Sequence, residues 1–310
     1  MPIVPTNVPM TSRLCGRCLQ ELVETYPTLR LRELTRTAYG RPVSALVLGE
    51  GDRQVIFTAA HHANEWITAT LLLKFAEELA FAHQTGGSVY GVPGETIFRY
   101  ATIHLVPMVD PDGVDLVTGV IENDSPEYAA AQNIADNYPA IPFPSGWKAN
   151  LLGVDLNLQY PAGWLQAREI KFSQGFTRPA PRDYVGRAPL NQRESRALAE
   201  YTAQIDPALV LAYHTQGEVI YWQFRDYFVE GARELGEEFA RLSGYALEDT
   251  PYESSFAGYK DWFIQDWRRP GFTIECGQGE NPIPLDQFGK IYRDNVGILV
   301  TAALGLPGGT

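Results

Sequence analysis

Short runs of apolar and β-branched residues bounded by turn residues alternate along the chain with longer stretches whose apolar positions recur every three or four residues. The short runs predict strands over residues 43–48, 54–59, 102–109, 209–213 and 272–275. The longer stretches predict helices over 66–82, 127–137, 191–204, 229–242 and 286–304. Strands that alternate with helices form a largely parallel sheet covered on both faces, so the pattern predicts an α/β fold with ligands beyond the carboxyl ends of the strands. Residues 86–93, 141–145 and 168–189 read as long loops, and loops of that length tend to carry function. Pro and Gly punctuate the whole length and no repeat or low-complexity tract appears, which predicts a single domain over 1–310 with a short lead-in to about residue 25.

Composition narrows the function classes. The 310 residues are 45% hydrophobic and 20% charged, ordinary for a globular chain, with a formal net charge of -12. That charge argues against a nucleic-acid partner and against an anionic membrane surface, since both need clustered Lys and Arg. The first residues show no basic segment followed by an apolar run, and no stretch approaches the roughly 18 consecutive apolar residues of a membrane span. The expectation is a soluble, cytoplasmic chain, the alternative being export by a route the sequence does not show. Three cysteines make no disulfide framework, which suits a reducing compartment.

Candidate chemistry begins where the strand over 54–59 runs into Ala-His-His-Ala-Asn-Glu-Trp and a long helix. His62 and Glu65 stand at this junction with a spacing that brings both side chains to one side of a turn. A catalytic zinc takes three His or carboxylate ligands and leaves a fourth position open, so His-x-x-Glu supplies two of them, although the motif alone is common by chance. The chain has only five histidines. His83 lies at a helix tail and is expected in solvent, His104 sits in an apolar strand as a hydrogen-bonded core residue, and His61 points away from its neighbour. His214 ends the run Leu-Val-Leu-Ala-Tyr at the carboxyl end of a predicted strand and is the best third ligand. Activation of water needs a base. Glu275 ends the strand Gly-Phe-Thr-Ile-Glu at the same rim, and its other reading is a surface carboxylate in a turn.

Five blocks in order, HHANEW, PMVDPDG, WKANLLGVDLN, YHTQG and GFTIECG, resemble the zinc carboxypeptidase family over nearly the whole chain. The resemblance implies an α/β fold with a mixed, mostly parallel sheet in a three-layer α/β/α arrangement, and one Zn2+ per chain. It places His62, Glu65 and His214 at the metal ligands and Glu275 at the glutamate that deprotonates water and then protonates the leaving amine. Asp155 matches the aspartate that orients a ligand histidine. Lys148 stands where the family usually has an arginine facing the developing oxyanion; it keeps the charge without the bidentate fork, and a solvated lysine is the other reading. The family's Asn-Arg pair that binds a terminal carboxylate reads Asn157-Leu158 here, so the usual clamp is missing. The tyrosine that closes on substrate falls near Glu253, with Tyr252 adjacent, and the specificity-pocket position falls near Lys260, a basic residue suited to an acidic group on the substrate or else simply solvated.

The blocks HHANEWIT, PAPRDYxG, HTQGExIYW and FAGYKDWF further resemble the branch of γ-D-glutamyl-L-diamino acid peptidases. That resemblance implies hydrolysis of the bond between the γ-carboxyl of D-glutamate and diaminopimelate or lysine in peptidoglycan stem peptides, with Arg182 and Lys260 replacing the missing cation and Asn157 retained as a hydrogen-bond partner. The partners implied are stem peptides or related small peptides, with no nucleic acid and no membrane. The alternatives are an ordinary carboxypeptidase acting on α-linked peptides and a non-catalytic module that binds wall fragments. Cys15 and Cys18 lack a second pair to complete a zinc site and are read as structural, as is Cys276 on the opposite face from Glu275. Asp110 to Gly113 is read as a tight turn after a buried strand.

Overall fold

A computed structural model describes residues 2–306. Ten strands lie among them: β1 (Arg30–Arg36), β2 (Pro42–Leu48), β3 (Arg53–Ala59), β4 (Ser88–Val89), β5 (Val92–Pro93), β6 (Ala101–Val106), β7 (Leu209–His214), β8 (Val219–Tyr221), β9 (Ala246–Glu248) and β10 (Gly271–Glu275). Strands β4 and β5 pair only with each other, and the other eight form one sheet in the order β1-β2-β6-β3-β7-β10-β8-β9. The four central strands β6, β3, β7 and β10 are parallel. On one side β2 joins β6 and β1 joins β2 antiparallel, and on the other β8 joins β10 antiparallel. The sheet is therefore mixed and mostly parallel at its centre.

Alternation along the strands decides which helices cover which face. Val55 and Phe57 of β3, Leu209 and Leu211 of β7, and Phe272 of β10 pack into one apolar cluster with the helices Ile67–Thr85 and Phe288–Leu304. Ile56, Val210 and Ala212 point the other way, into a cluster with the helices Arg193–Ile205 and Tyr259–Trp267. Both faces of the central strands are thus dry, which is why they read as continuous apolar runs.

Several elements differ from the sequence reading. The strand expected over 102–109 ends at Val106, and the segment read as a tight turn opens a helix, Pro111–Val117. Asp110 is its N-cap: the side chain accepts from the Gly113 N–H, and Pro111 occupies the first helical position, where its missing N–H costs nothing. The lead-in carries a helix, Ser12–Thr25, whose Cys15, Cys18, Leu19 and Leu22 join the main core. Part of the loop expected over 168–189 is helix Trp164–Ser173, and residues 86–93 hold the small β4–β5 hairpin. Strand β1 is largely exposed at the sheet edge and alternates charged with apolar residues, so it lacks the apolar run that revealed the others. No helix among the described residues is long and apolar enough to cross a membrane.

Candidate active site

Strands β3, β7 and β10 lie side by side and end at one rim. His214, the last residue of β7, is in register with Glu275, the last of β10. Beyond β3, the backbone N–H groups of Val109 and Asp110 bond to the carbonyls of Ala59 and Ala60 and fix the turn that follows. There His62 precedes a single 3-10 turn, Ala63–Glu65, which brings the side chains of His62 and Glu65 together.

The three meet closely. His62 Nδ1 lies 2.9 Å from Glu65 Oε1, His214 Nδ1 lies 2.9 Å from Glu65 Oε2, and the two Nδ1 atoms are 3.2 Å apart. Glu65 and His214 are buried. Two nitrogens each about 2.0–2.1 Å from one tetrahedral zinc would sit roughly 3.3 Å apart, so this donor set fits the ion. One ligand atom from each of the three residues lies within 4.8 Å of the others, and they make the only such group of three or more among the described residues.

Hydrogen bonds around the cluster orient the two imidazoles through their Nε2 atoms, while Glu65 accepts from Lys148 and from the Thr215 N–H. Asp155 Oδ1 is 3.2 Å from His62 Nε2, which holds the ring with Nδ1 turned to the cluster. Burial alone would raise the Asp155 pKa, but the adjacent His62 imidazole and the Asp183 N–H carry it below its usual value. Asn157 accepts from the Tyr259 N–H and sets its amide 3.5 Å from His214 Nε2. His61 turns to the other side, stacked 5.7 Å from His214 with its Nε2 3.3 Å from the Tyr160 hydroxyl. His104 is the hydrogen-bonded core residue expected, between Tyr201 and Gln54, with burial pulling its pKa down to about 4. His83 is half-buried instead of solvated, because its ring stacks on Phe98 at 3.9 Å.

Glu275 and Lys148 flank the cluster. Burial raises the Glu275 pKa, and the negative Glu65 adds to it against the pull of His214 and Lys148. Lys148 Nζ donates to Glu65 Oε1 at 2.7 Å, so its ammonium is held in the site and is not solvated. Burial would lower its pKa, but Glu65 overrides this and raises it. The lysine's backbone is pinned as well: its carbonyl accepts from Ala63 N–H, and its N–H bonds to Pro181 O.

In front of these groups lies a cavity of about 190 Å³. His62, His214, Glu275, Lys148, Asp155, Asn157 and Leu158 line it, together with the ion-paired Lys171, Arg182 and Asp183 and the buried Lys260 and Asp261. Lys260 is buried on the first turn of the helix Tyr259–Trp267, where its Nζ donates to Gln223 O at 2.7 Å and forms an ion pair with Asp261 Oδ1 at 2.6 Å. Tyr252 is not brought to the cavity: it is 65% exposed and packs edge-on against Phe256. Among the lining residues that escaped the sequence reading are Lys171 and Asp183, whose side chains pair at 2.7 Å. The buried positions Trp164, Ala167 and Lys171, at spacings of three and four, are the signal that could have placed Lys171 on the inner face of a helix.

A parallel-centred sheet with a His-Glu-His cluster and a half-buried carboxyl at its carboxyl rim defines a metal-dependent hydrolase. The chain belongs to the zinc carboxypeptidase family: the family model of that description matches residues 16–296. It is a zinc metallopeptidase. The chain is 42% identical over 284 residues to γ-D-glutamyl-L-diamino acid endopeptidase 1 of Lysinibacillus sphaericus, covering 91% of this chain and 69% of that protein. It is 35% identical over 283 residues to the uncharacterized protein YqgT of Bacillus subtilis (strain 168), covering 91% and 73%. Among solved structures, carboxypeptidase A of Helicoverpa armigera shares the fold with a TM-score of 0.75 at 17% identity, over 98% of this chain and 76% of that one.

Proposed function

We propose that this peptidase hydrolyses the amide between the γ-carboxyl of D-glutamate and the amino group of a diamino acid, diaminopimelate or lysine, in peptidoglycan stem peptides or related small peptides. The observation that carries the reading is Leu158 in the cavity wall, at the place where an ordinary carboxypeptidase presents a guanidinium to a terminal carboxylate. An apolar side chain there cannot hold a chain-terminal carboxylate, and the relative of 42% identity is named for the γ-D-glutamyl bond. Lys171, Arg182 and Lys260 supply positive charge around the cavity instead, as a substrate with differently placed carboxylates requires. Tyr252 would serve only if the segment about it swung inward.

His62, Glu65 and His214 would hold the zinc, and the bound ion would supply Lewis-acid polarisation of the scissile carbonyl and a lowered pKa for water. Glu275 takes a proton from the attacking water as its oxygen bonds to the carbonyl carbon. The same carboxyl then delivers that proton to the departing nitrogen as the C–N bond breaks, a double duty favoured by a pKa raised above that of a solvated glutamate. Lys148 faces the carbonyl oxygen and offsets the negative charge that grows on it. Asp155 keeps the His62 ring oriented, and Asn157 donates to the substrate from the opposite wall.

The test is product analysis by mass spectrometry with zinc-replete protein, L-Ala-γ-D-Glu-diaminopimelate and a benzoyl-capped α-dipeptide. Release of the diamino acid, at a rate well above turnover of the capped dipeptide, is the expected result. No release, or faster cleavage of the capped dipeptide, overturns the reading.

A further inference from the structure

Two cavities share a wall beside the metal cluster. The first is the 190 Å³ cavity already described, whose wall includes the buried pair Lys260 and Asp261. The second is a groove of about 560 Å³ lined by Asn64, Pro142, Ser145, Gly146 and the segment Gly279, Glu280 and Asn281. Lys148, Arg182, Tyr221 and Glu275 line both, so these four residues form the wall between them. Glu275 must reach both the attacking water and the leaving nitrogen, which puts the scissile bond at this wall. The smaller cavity, with a buried charged pair in its wall, suits the departing amino acid. The larger groove suits the acyl part, whose chain continues.

The two kinds of linkage differ on the acyl side. A γ-linked glutamyl group carries a free α-carboxylate a few bonds from the scissile carbonyl, and an α-linked residue has none. The groove offers two cations for it, Lys148 and Arg182. Lys148 is committed to Glu65 at 2.7 Å and to the reacting carbonyl. Arg182 spends only its Nε, on Asp183 Oδ2 at 2.7 Å, and among the described residues its terminal amino groups make no hydrogen bond to the protein.

Its place is set from the metal side. The Asp183 N–H donates to Asp155 Oδ2 at 3.2 Å, and the other oxygen of Asp155 holds His62. On the other flank, Pro181 O accepts from the N–H groups of Lys148 and Ala149 at 2.7 and 2.9 Å. The Asp183 carboxylate, itself fixed by Lys171, then aims the guanidinium. A planar fork with both terminal nitrogens free matches a carboxylate in bidentate fashion.

We infer that Arg182 binds the α-carboxylate of the γ-linked glutamyl group and is the residue that selects γ- over α-linkage, a role that rests on the proposed cleavage of the γ-D-glutamyl bond. The carboxylates of the departing amino acid are left to Lys171 and Lys260, which line only the smaller cavity.

The experiment compares L-Ala-γ-D-Glu-diaminopimelate with its analogue carrying an α-carboxamide on the glutamyl group. One charged hydrogen-bonding partner is worth roughly 10- to 100-fold, so the wild type prefers the acid by that factor in kcat/KM. Arg182→Met brings the acid-to-amide ratio to about one, Arg182→Lys keeps part of the preference, and Lys260→Met, which touches neither Arg182 nor Asp183, lowers both rates with the ratio intact. Each ratio is measured within one preparation, so a fraction of misfolded variant cancels. A wild type indifferent to the amide, or Arg182→Met losing equally on both substrates, overturns the inference while γ-cleavage stands. Failure of the wild type to cleave either substrate overturns the inference and the reading beneath it.

Discussion

Glu275 makes no side-chain hydrogen bond to the protein among the described residues, although it is enclosed by Glu65, His214 and Lys148. A carboxyl left without partners in such a place is free to exchange a proton with substrate and water. Glu275→Gln keeps the shape and removes the exchange, so turnover should fall by about 10²- to 10⁴-fold while zinc content and substrate binding stay close to wild type. Steady-state kinetics with metal analysis checks this, and a variant retaining more than a tenth of its turnover would exclude the role. Lys148 gives a second contrast: Lys148→Ala should cost about 10²- to 10³-fold in kcat, and Lys148→Arg should restore most of it, since charge facing the oxyanion is what the position supplies. Loss of metal instead of kcat in Lys148→Ala would show that the bond to Glu65 is its purpose. Of these residues the metal cluster was the most legible in the sequence, because five histidines leave few candidates and two chemically suitable ones end or follow apolar runs. Lys171 and Asp183 were not legible, since their pairing joins a helix to a loop and nothing local announces it.

The central strands β3, β7 and β10 could be read almost residue by residue, because burial on both faces forces continuous apolar runs. The helix Pro111–Val117 could not, as Asp-Pro-Asp-Gly serves a tight turn as well as a capped helix start; what decides is Asp110, fully buried, with Gly113 beneath it. A Cβ at Gly113 would collide with Asp110 Oδ2 and lie 2.6 Å from the Ala149 carbonyl and 2.7 Å from Ala63 Cβ. Ala63 follows His62 of the metal cluster, and Ala149 follows Lys148. The glycine therefore lets this helix pack directly against both halves of the site. Gly113→Ala should destabilise the fold by about 1–3 kcal/mol in urea unfolding, despite alanine being the better helix former, and should weaken zinc retention in a chelator competition. Unchanged stability would mean that the contact relaxes without strain and the helix does not brace the metal turn.

At the scale of the whole molecule, buried carboxyls couple the fold to pH. Glu194 is 2% exposed in the first turn of the helix Arg193–Ile205, and its neighbours come from other elements: Asn150 from the loop after Lys148, Asp112 from the helix Pro111–Val117, and Asp110 at that helix's cap. Burial raises its pKa to about 7, assisted by Asp112, against the helix N-terminus and Arg193, which favour the ionised form. Asp110 is raised by burial in the same direction. In the unfolded chain Glu194 titrates near its ordinary 4.5. Below that pH both states hold the proton and the fold keeps its full stability; between about 4.5 and 7 the unfolded chain ionises first, so stability falls as pH rises, by on the order of 3 kcal/mol from this group alone. Glu194→Gln should remove that part of the slope and leave the variant more stable than wild type at pH 8, with the two chains alike near pH 4. The histidine ligands release zinc at low pH in both chains, so the difference between them isolates Glu194. Denaturant unfolding from pH 4 to 8 reads it directly: parallel curves would show that the carboxyl finds a partner in solution and ionises freely inside the fold.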